Sequence, residues 1–333
     1  MRIAKFWLAL LAPAFCLIGQ EDIRVPLGLL PIQWPADNPY SKAKADLGKL
    51  LYFDKRLSAD GTVACANCHH PKFAFADGSA TSLGIKGQRG GRSAPTVFNR
   101  AYSLNQFWDG RAATLEEQAK GPMANPVEMG NTHEALVTKL RGIPGYGPLF
   151  QKAFGTHDWD IEHVSKAIAT FERTVLSGNS AYDQYKAGKK SAMTAQQVRG
   201  MQLFFGKARC DSCHEGINFT TNAYHNLGVG TDKPDPDAGR YLVTKNEADW
   251  GAFKTPTLRE IARTAPYMHD GSMKTLEEVI DFYYKGGLPN KNLAKTVRKL
   301  NLTADEKKDL VAFLTALSGE GWQSIQEPTQ FPQ

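Results

Sequence analysis

Two five-residue runs, Cys65-Ala66-Asn67-Cys68-His69 and Cys210-Asp211-Ser212-Cys213-His214, constrain this chain more than anything else in its 333 residues. Two thiols at this spacing can form thioether bonds to the two vinyl groups of one porphyrin. The histidine that follows then reaches the iron as its proximal ligand. Disulfides and zinc are the competing readings of four cysteines. Disulfides suit an exported chain, but they ask for no histidine after each pair. Zinc wants four ligands from one cluster, whereas Cys65 and Cys210 stand 145 positions apart. The fifth cysteine, Cys16, lies in a different kind of segment.

That segment is the N-terminus. Arg2 and Lys5 form a short basic start, Phe6 to Gly19 carries no charge, and Gln20-Glu21-Asp22 turns polar at once. This is the layout of an export signal over residues 1–19, too short for a stable membrane span, and it predicts a periplasmic protein. Phe15 before Cys16 argues against a lipidated cysteine. The formal charge is +6, but without Arg2 and Lys5 there are 38 basic residues against 34 acidic ones, a balance of +4. The propionates of two haems would remove about four more charges. The basic composition therefore gives no reason to expect nucleic acid as a partner.

The chain repeats itself loosely. Leu51-Tyr52-Phe53 precedes the first cysteine run, and Leu203-Phe204-Phe205 precedes the second. Each reads as the end of a helix leading into the cysteines. Capping boxes are predicted at Thr114 with Glu117, Thr194 with Gln197, Thr275 with Glu278 and Thr303 with Glu306. Residues 158–176 read as a further helix, and no series of alternating strands is evident. The fold class expected is mainly α: two cytochrome c-like domains, each with one covalent c-type haem, and long loops around 77–100 and 218–256. Gly178 to Lys190 is polar and reads as an interdomain linker. The expected division is 20–180, holding a peroxidatic haem, and 181–333, holding an electron-transfer haem.

Two haems alone could simply pass electrons. The discriminating segment is Gln106-Phe107-Trp108-Asp109-Gly110-Arg111, continuing through Glu117-Gln118 to Asn125-Pro126-Val127-Glu128-Met129. With both haem motifs and Thr264-Ala265-Pro266-Tyr267-Met268-His269-Asp270-Gly271, it resembles the bacterial di-haem cytochrome c peroxidases and their MauG-like relatives over residues 35–318. The resemblance implies a peroxide-reacting haem on Cys65, Cys68 and His69, with Gln118 and Glu128 as the polar pair above it. It implies that Trp108 relays an electron or hole between the haems and that Pro122 belongs to the same distal segment. The second haem would sit on Cys210, Cys213 and His214. A calcium ion between the haems is also implied, held by the carbonyls of Thr264 and Pro266, with Ser93 where relatives have an asparagine. The implied partners are hydrogen peroxide, a redox protein donor or protein substrate, and a second copy of the chain.

Two departures from the ordinary peroxidase pattern sharpen the expectation. Ile85 stands where those enzymes carry a histidine that blocks the peroxide-binding iron until the partner haem is reduced, and isoleucine cannot bind iron. Tyr283 stands where they carry a methionine ligand to the second haem. Phe282-Tyr283-Tyr284-Lys285-Gly286-Gly287 is similar to the MauG-like branch, in which a tyrosine binds this iron. Tyr284 is the alternative register, and Met268 and Met273 are further sulfur donors. An anionic phenolate favours ferric and higher states. The reading is thus a peroxide-dependent oxidoreductase working through high-valent Fe(IV) haems without reductive activation. A conventional cytochrome c peroxidase and a non-enzymatic di-haem electron carrier are the alternatives. Ala208 stands where the enzyme that matures methylamine dehydrogenase has a surface tryptophan, so the route to that particular partner is missing.

Overall fold

The computed structural model describes residues 23–333. The segment read as an export signal, with Cys16, lies outside them. The chain folds in order into α1 (Lys42–Phe53), the one-turn α2 (Cys65–Cys68), α3 (Leu115–Ala124), α4 (His133–Arg141), α5 (Tyr146–Phe154), α6 (Ile161–Arg173) and α7 (Ala181–Lys186). It continues with α8 (Ala195–Phe205), the one-turn α9 (Tyr241–Thr244), α10 (Leu276–Lys285) and α11 (Ala304–Thr315). Strands β1 (Tyr224–His225) and β2 (Phe253–Lys254) pair antiparallel, with Tyr224 opposite Lys254. They tie together the two ends of a long loop. Among the described residues no helix is long and apolar enough to cross a membrane.

Helix starts follow their caps. Thr194, Thr275 and Thr303 each accept from the third helical amide, and Gln197, Glu278 and Glu306 reach back to the cap. At α3 Thr114 accepts from the amide of Glu117, but the Glu117 carboxylate reaches Ala113 instead, so that box is open. The helix read over 158–176 starts at Asp160, whose carboxylate accepts from Glu162 and His163.

Two helix crossings organise the molecule, α1 over α6 and α8 over α11. Each is made close by a glycine. A Cβ on Gly48 would lie 1.9 Å from the carbonyl oxygen of Ala167, and one on Gly200 would lie 1.9 Å from that of Asp309. Each crossing closes an apolar core. One runs from Leu47 to Val175, and the other from Met193 to Leu317. The chain's tail then returns to the first core, where Trp322, Ile325 and Phe331 pack.

The 178–190 segment, read from the sequence as an interdomain linker, runs between the two cores and is itself folded. It forms α7, capped by Ser180, and its Asp183 is buried against Arg259 at 2.6 Å. Gly178 pairs with Glu320. Its polar groups find partners inside the protein rather than in water.

Candidate active site: two cavities meeting at Trp108

Each cysteine run opens onto a cavity. The first, of about 680 Å³, is lined by Cys65, Cys68 and His69, and by Trp108, Gln118, Pro122 and Glu128. The second, of about 220 Å³, is lined by Cys210, Cys213, His214 and Tyr283. The segment from Ser93 to Thr96, with Arg100 and Trp108, lines both. Trp108 therefore stands in the wall that the two share. The four thiols are unbridged.

Both histidines are held the same way. His69 Nδ1 donates to the carbonyl of Phe75 at 3.3 Å, and His214 Nδ1 donates to that of Phe219 at 3.0 Å. A carbonyl can only accept, so the proton sits on Nδ1 and the Nε2 lone pair is left for a metal. Burial pushes each imidazole down to about 4, which keeps that lone pair free at neutral pH. The hydroxyl of Tyr52 on α1 donates to the carbonyl of His69 at 2.6 Å, fixing the turn from outside.

The polar groups of the first cavity come from α3 and the turn after it. Pro122 sits inside α3 and removes the amide that would have bonded the Gln118 carbonyl, so the helix is loosened where Gln118 faces the cavity. Asn125 ends the helix, and its side-chain amide donates to Glu128 Oε1 at 3.1 Å. Oε2 has no hydrogen bond among the described residues. Burial raises the Glu128 carboxyl above the ordinary carboxylate range, against the opposing pull of Arg111 and Asn125. Trp108 is fixed at both ends: its indole Nε1 donates to the carbonyl of Ser93 at 2.8 Å, and its own carbonyl accepts from the amide of Lys254 at 2.7 Å.

The remaining sequence candidates fall as follows. Ile85 does not line the first cavity. Its amide donates to the carbonyl of Glu128 at 2.9 Å, and its side chain is buried beside Gly130. His69 is the one imidazole among the residues lining that cavity. Tyr283 and Met268 line the second cavity, whereas Met273 packs beside the second core. Tyr284 lies on the surface under Lys307, 4.7 Å from its ring. Thr264, Pro266 and Ser93 all line the second cavity, and Ala208 is buried in its wall rather than on the surface.

Sequence reasoning missed three buried titratable groups. Arg100 lines both cavities with no carboxylate within 4 Å among the described residues, and burial lowers it to about 10. Lys254 lines the second cavity, its Nζ donates to the Asn105 carbonyl, and it is lowered to about 6 by burial first and Arg100 second. Glu172 on α6 lines the first cavity, and burial raises it to about 8. Only Glu172 left a signal: it falls four residues after Ile168 on the buried face of α6. A buried guanidinium without a carboxylate in ion-pair contact, and a buried amine driven towards its neutral form, would both be favoured as cations by an anion placed in the cavities. The propionates of two haems would supply it, the paired thiols fit the two vinyl groups, and the two imidazoles present free Nε2 atoms. The residues present thus fit two c-type haems.

The fold and its paired cavities are those of a protein built to hold two redox groups side by side. A family model described as di-haem cytochrome c peroxidase matches residues 42–191. The methylamine utilization protein MauG of Methylorubrum extorquens is 40% identical, over 86% of this chain and 81% of that protein. The cytochrome c551 peroxidase of Nitrosomonas europaea is 38% identical, over 94% and 88%. Among solved structures, a MauG-like protein associated with microbial copper homeostasis superposes with a TM-score of 0.85 at 34% identity, over 93% of this chain and 99% of that one. The diheme peroxidase BthA of Burkholderia thailandensis gives 0.75 at 25%, over 89% and 92%. The chain belongs to the di-haem cytochrome c peroxidase family and is an oxidoreductase of the peroxidase type.

Proposed function

We propose that this protein is a periplasmic, MauG-like di-haem enzyme that reduces hydrogen peroxide without first being reduced itself. The observation that carries the reading is the first cavity. Gln118 and Glu128 face it, and no side chain able to replace peroxide on the His69 metal position comes from the Ile85 loop. When bound, the two haems would supply the iron at which the O–O bond breaks and would store the two oxidising equivalents that peroxide delivers. The chain's own residues do the rest. The Gln118 amide orients the entering peroxide. The free Oε2 of Glu128 takes the proton from the proximal oxygen and returns it to the departing one, and the raised affinity of that carboxyl for a proton suits both acts. Trp108, held by Ser93 and Lys254, spans the shared wall and carries charge between the halves.

In the second half, which we assign as the domain 181–333, Tyr283 lines the same cavity as His214 and would offer the second haem's iron an oxygen donor. It favours an oxidised resting state over a ferrous one. Calcium belongs to the same proposal. No cluster of three acidic, histidine or cysteine side chains suited to a metal exists among the described residues. Carbonyl oxygens of Thr264 and Pro266 with the Ser93 hydroxyl would suit a hard cation all the same.

Mixing fully oxidised holoprotein with stoichiometric peroxide tests the reading. The expected result is an immediate Soret change with a new near-infrared band, both absent from Glu128→Gln on the same timescale. A reaction that appears only after pre-reduction would establish a conventional gated peroxidase. Two haems inert to peroxide would establish an electron carrier. Tyr283→Phe is expected to alter the spectrum of the second haem alone, and an unchanged spectrum removes Tyr283 from the ligand set.

A further inference from the structure

Resting on that reading, we infer that the second cavity opens onto a basic docking surface for an acidic electron-donor protein. Residues 282–304 contain five basic side chains, Lys285, Lys291, Lys295, Arg298 and Lys299, and no acidic one. All five are exposed. Lys291 reaches Glu247 at 3.6 Å, and the other four have no carboxylate within 4 Å among the described residues. Such a run is ordinarily a solvated face. Its position makes it more. Arg298 and Thr296 are exposed and also line the second cavity, as do the exposed Arg209 and Ser212 across the opening. The cavity holding Cys210, Cys213 and His214 therefore reaches the surface at a basic rim. Asp211 lies within the cysteine run and Glu215 follows it, but among the described residues neither pairs with these cations. Two partly exposed apolar side chains, Tyr284 and Leu288, stand in the same 282–304 run.

An apolar spot amid unpaired positive charge, beside the edge of a redox centre, is the make-up of a transient electron-transfer interface. Charge steers the encounter and sets its rate more than its affinity. The occupant we commit to is a small redox protein with an acidic face. Two molecules of it each give one electron through the second centre. With two protons from solvent these reduce one hydrogen peroxide to two waters, and each donor leaves oxidised by one electron.

The test uses holoprotein, peroxide and three reductants: hydroquinone, reduced acidic plastocyanin and reduced basic mitochondrial cytochrome c. Plastocyanin is expected to be oxidised with the higher kcat/KM, falling about tenfold or more between low salt and 0.15 M salt. Lys295→Glu/Lys299→Glu should lower kcat/KM for plastocyanin by about tenfold, through KM, and leave hydroquinone turnover unchanged. The same reversal at Lys152 and Lys186, remote in sequence, should leave both unchanged. Equal rates for the two proteins, a preference for the basic one, or a double variant indistinguishable from wild type would overturn the inference. So would binding of the surface to anionic vesicles at 0.15 M salt without any plastocyanin preference. Absence of hydroquinone turnover would instead overturn the peroxidase reading itself.

Discussion

Glu128 shows how burial sets chemistry. A carboxyl that must both take and return a proton works best when its affinity lies nearer neutrality than in water, and its position off the end of α3 provides that. In the proposed reaction the acting form would be the carboxylate, whose proton affinity burial raises. The rate of the peroxide reaction should therefore fall as pH drops, with a midpoint above that of an ordinary glutamate. Stopped-flow rates from about pH 4 to pH 8 should show this limb in wild type. Glu128→Gln should lose the limb and about two to four orders of magnitude in rate. A variant that keeps the limb would assign it to another group, the buried Glu172 first among them. Glu128 and Gln118 were legible through their places in a motif, and Trp108 likewise. Arg100 and Lys254 were not. A lone basic residue normally reads as surface, and only the fold reveals that both line cavities with no carboxylate in ion-pair contact among the described residues.

Helices were the most legible part of the chain, because caps and apolar spacing are local. Three of four predicted capping boxes close, and the fourth misses by one residue, where Glu117 finds Ala113. What the local pattern could not show is how helices approach one another. The Gly48 and Gly200 crossings repeat one device in both halves: a backbone carbonyl of the partner helix fills the space a Cβ would need. Neither glycine has a positive φ, so contact alone demands them. Gly48→Ala and Gly200→Ala should each cost about 1–3 kcal/mol through overpacking, even though alanine favours helix. Differential scanning calorimetry of each holoprotein should show a lowered Tm. A raised Tm would mean that the helices can separate at no cost and that the close approach does not hold the cores together.

How the halves are joined was the least legible feature, because the joints pair residues far apart in sequence. The polar run 178–190 looked like a linker since nothing local says that Asp183 meets a residue 76 positions later. In the folded chain Asp183 and Arg259 are both nearly fully buried and share two hydrogen bonds, at 2.6 and 3.0 Å. Arg259 also donates to the carbonyls of Ile217 and Gly28, so one side chain gathers the N-terminal strap, α7 and the loop after the second cysteine run. Arg92 does similar work beside Trp108, bonding Asp109 at 2.7 Å and Asp237 at 2.6 Å. A buried pair need not add net stability, since desolvation offsets the attraction, but removing one partner strands the other charge. Asp183→Leu should therefore cost about 3–5 kcal/mol, seen as a lower midpoint in denaturant. The double variant Asp183→Leu/Arg259→Met should recover most of that loss. If the double variant were instead as unstable as the sum of two singles, the pair would not act as a unit, and the junction would owe its strength to the carbonyl contacts of Arg259.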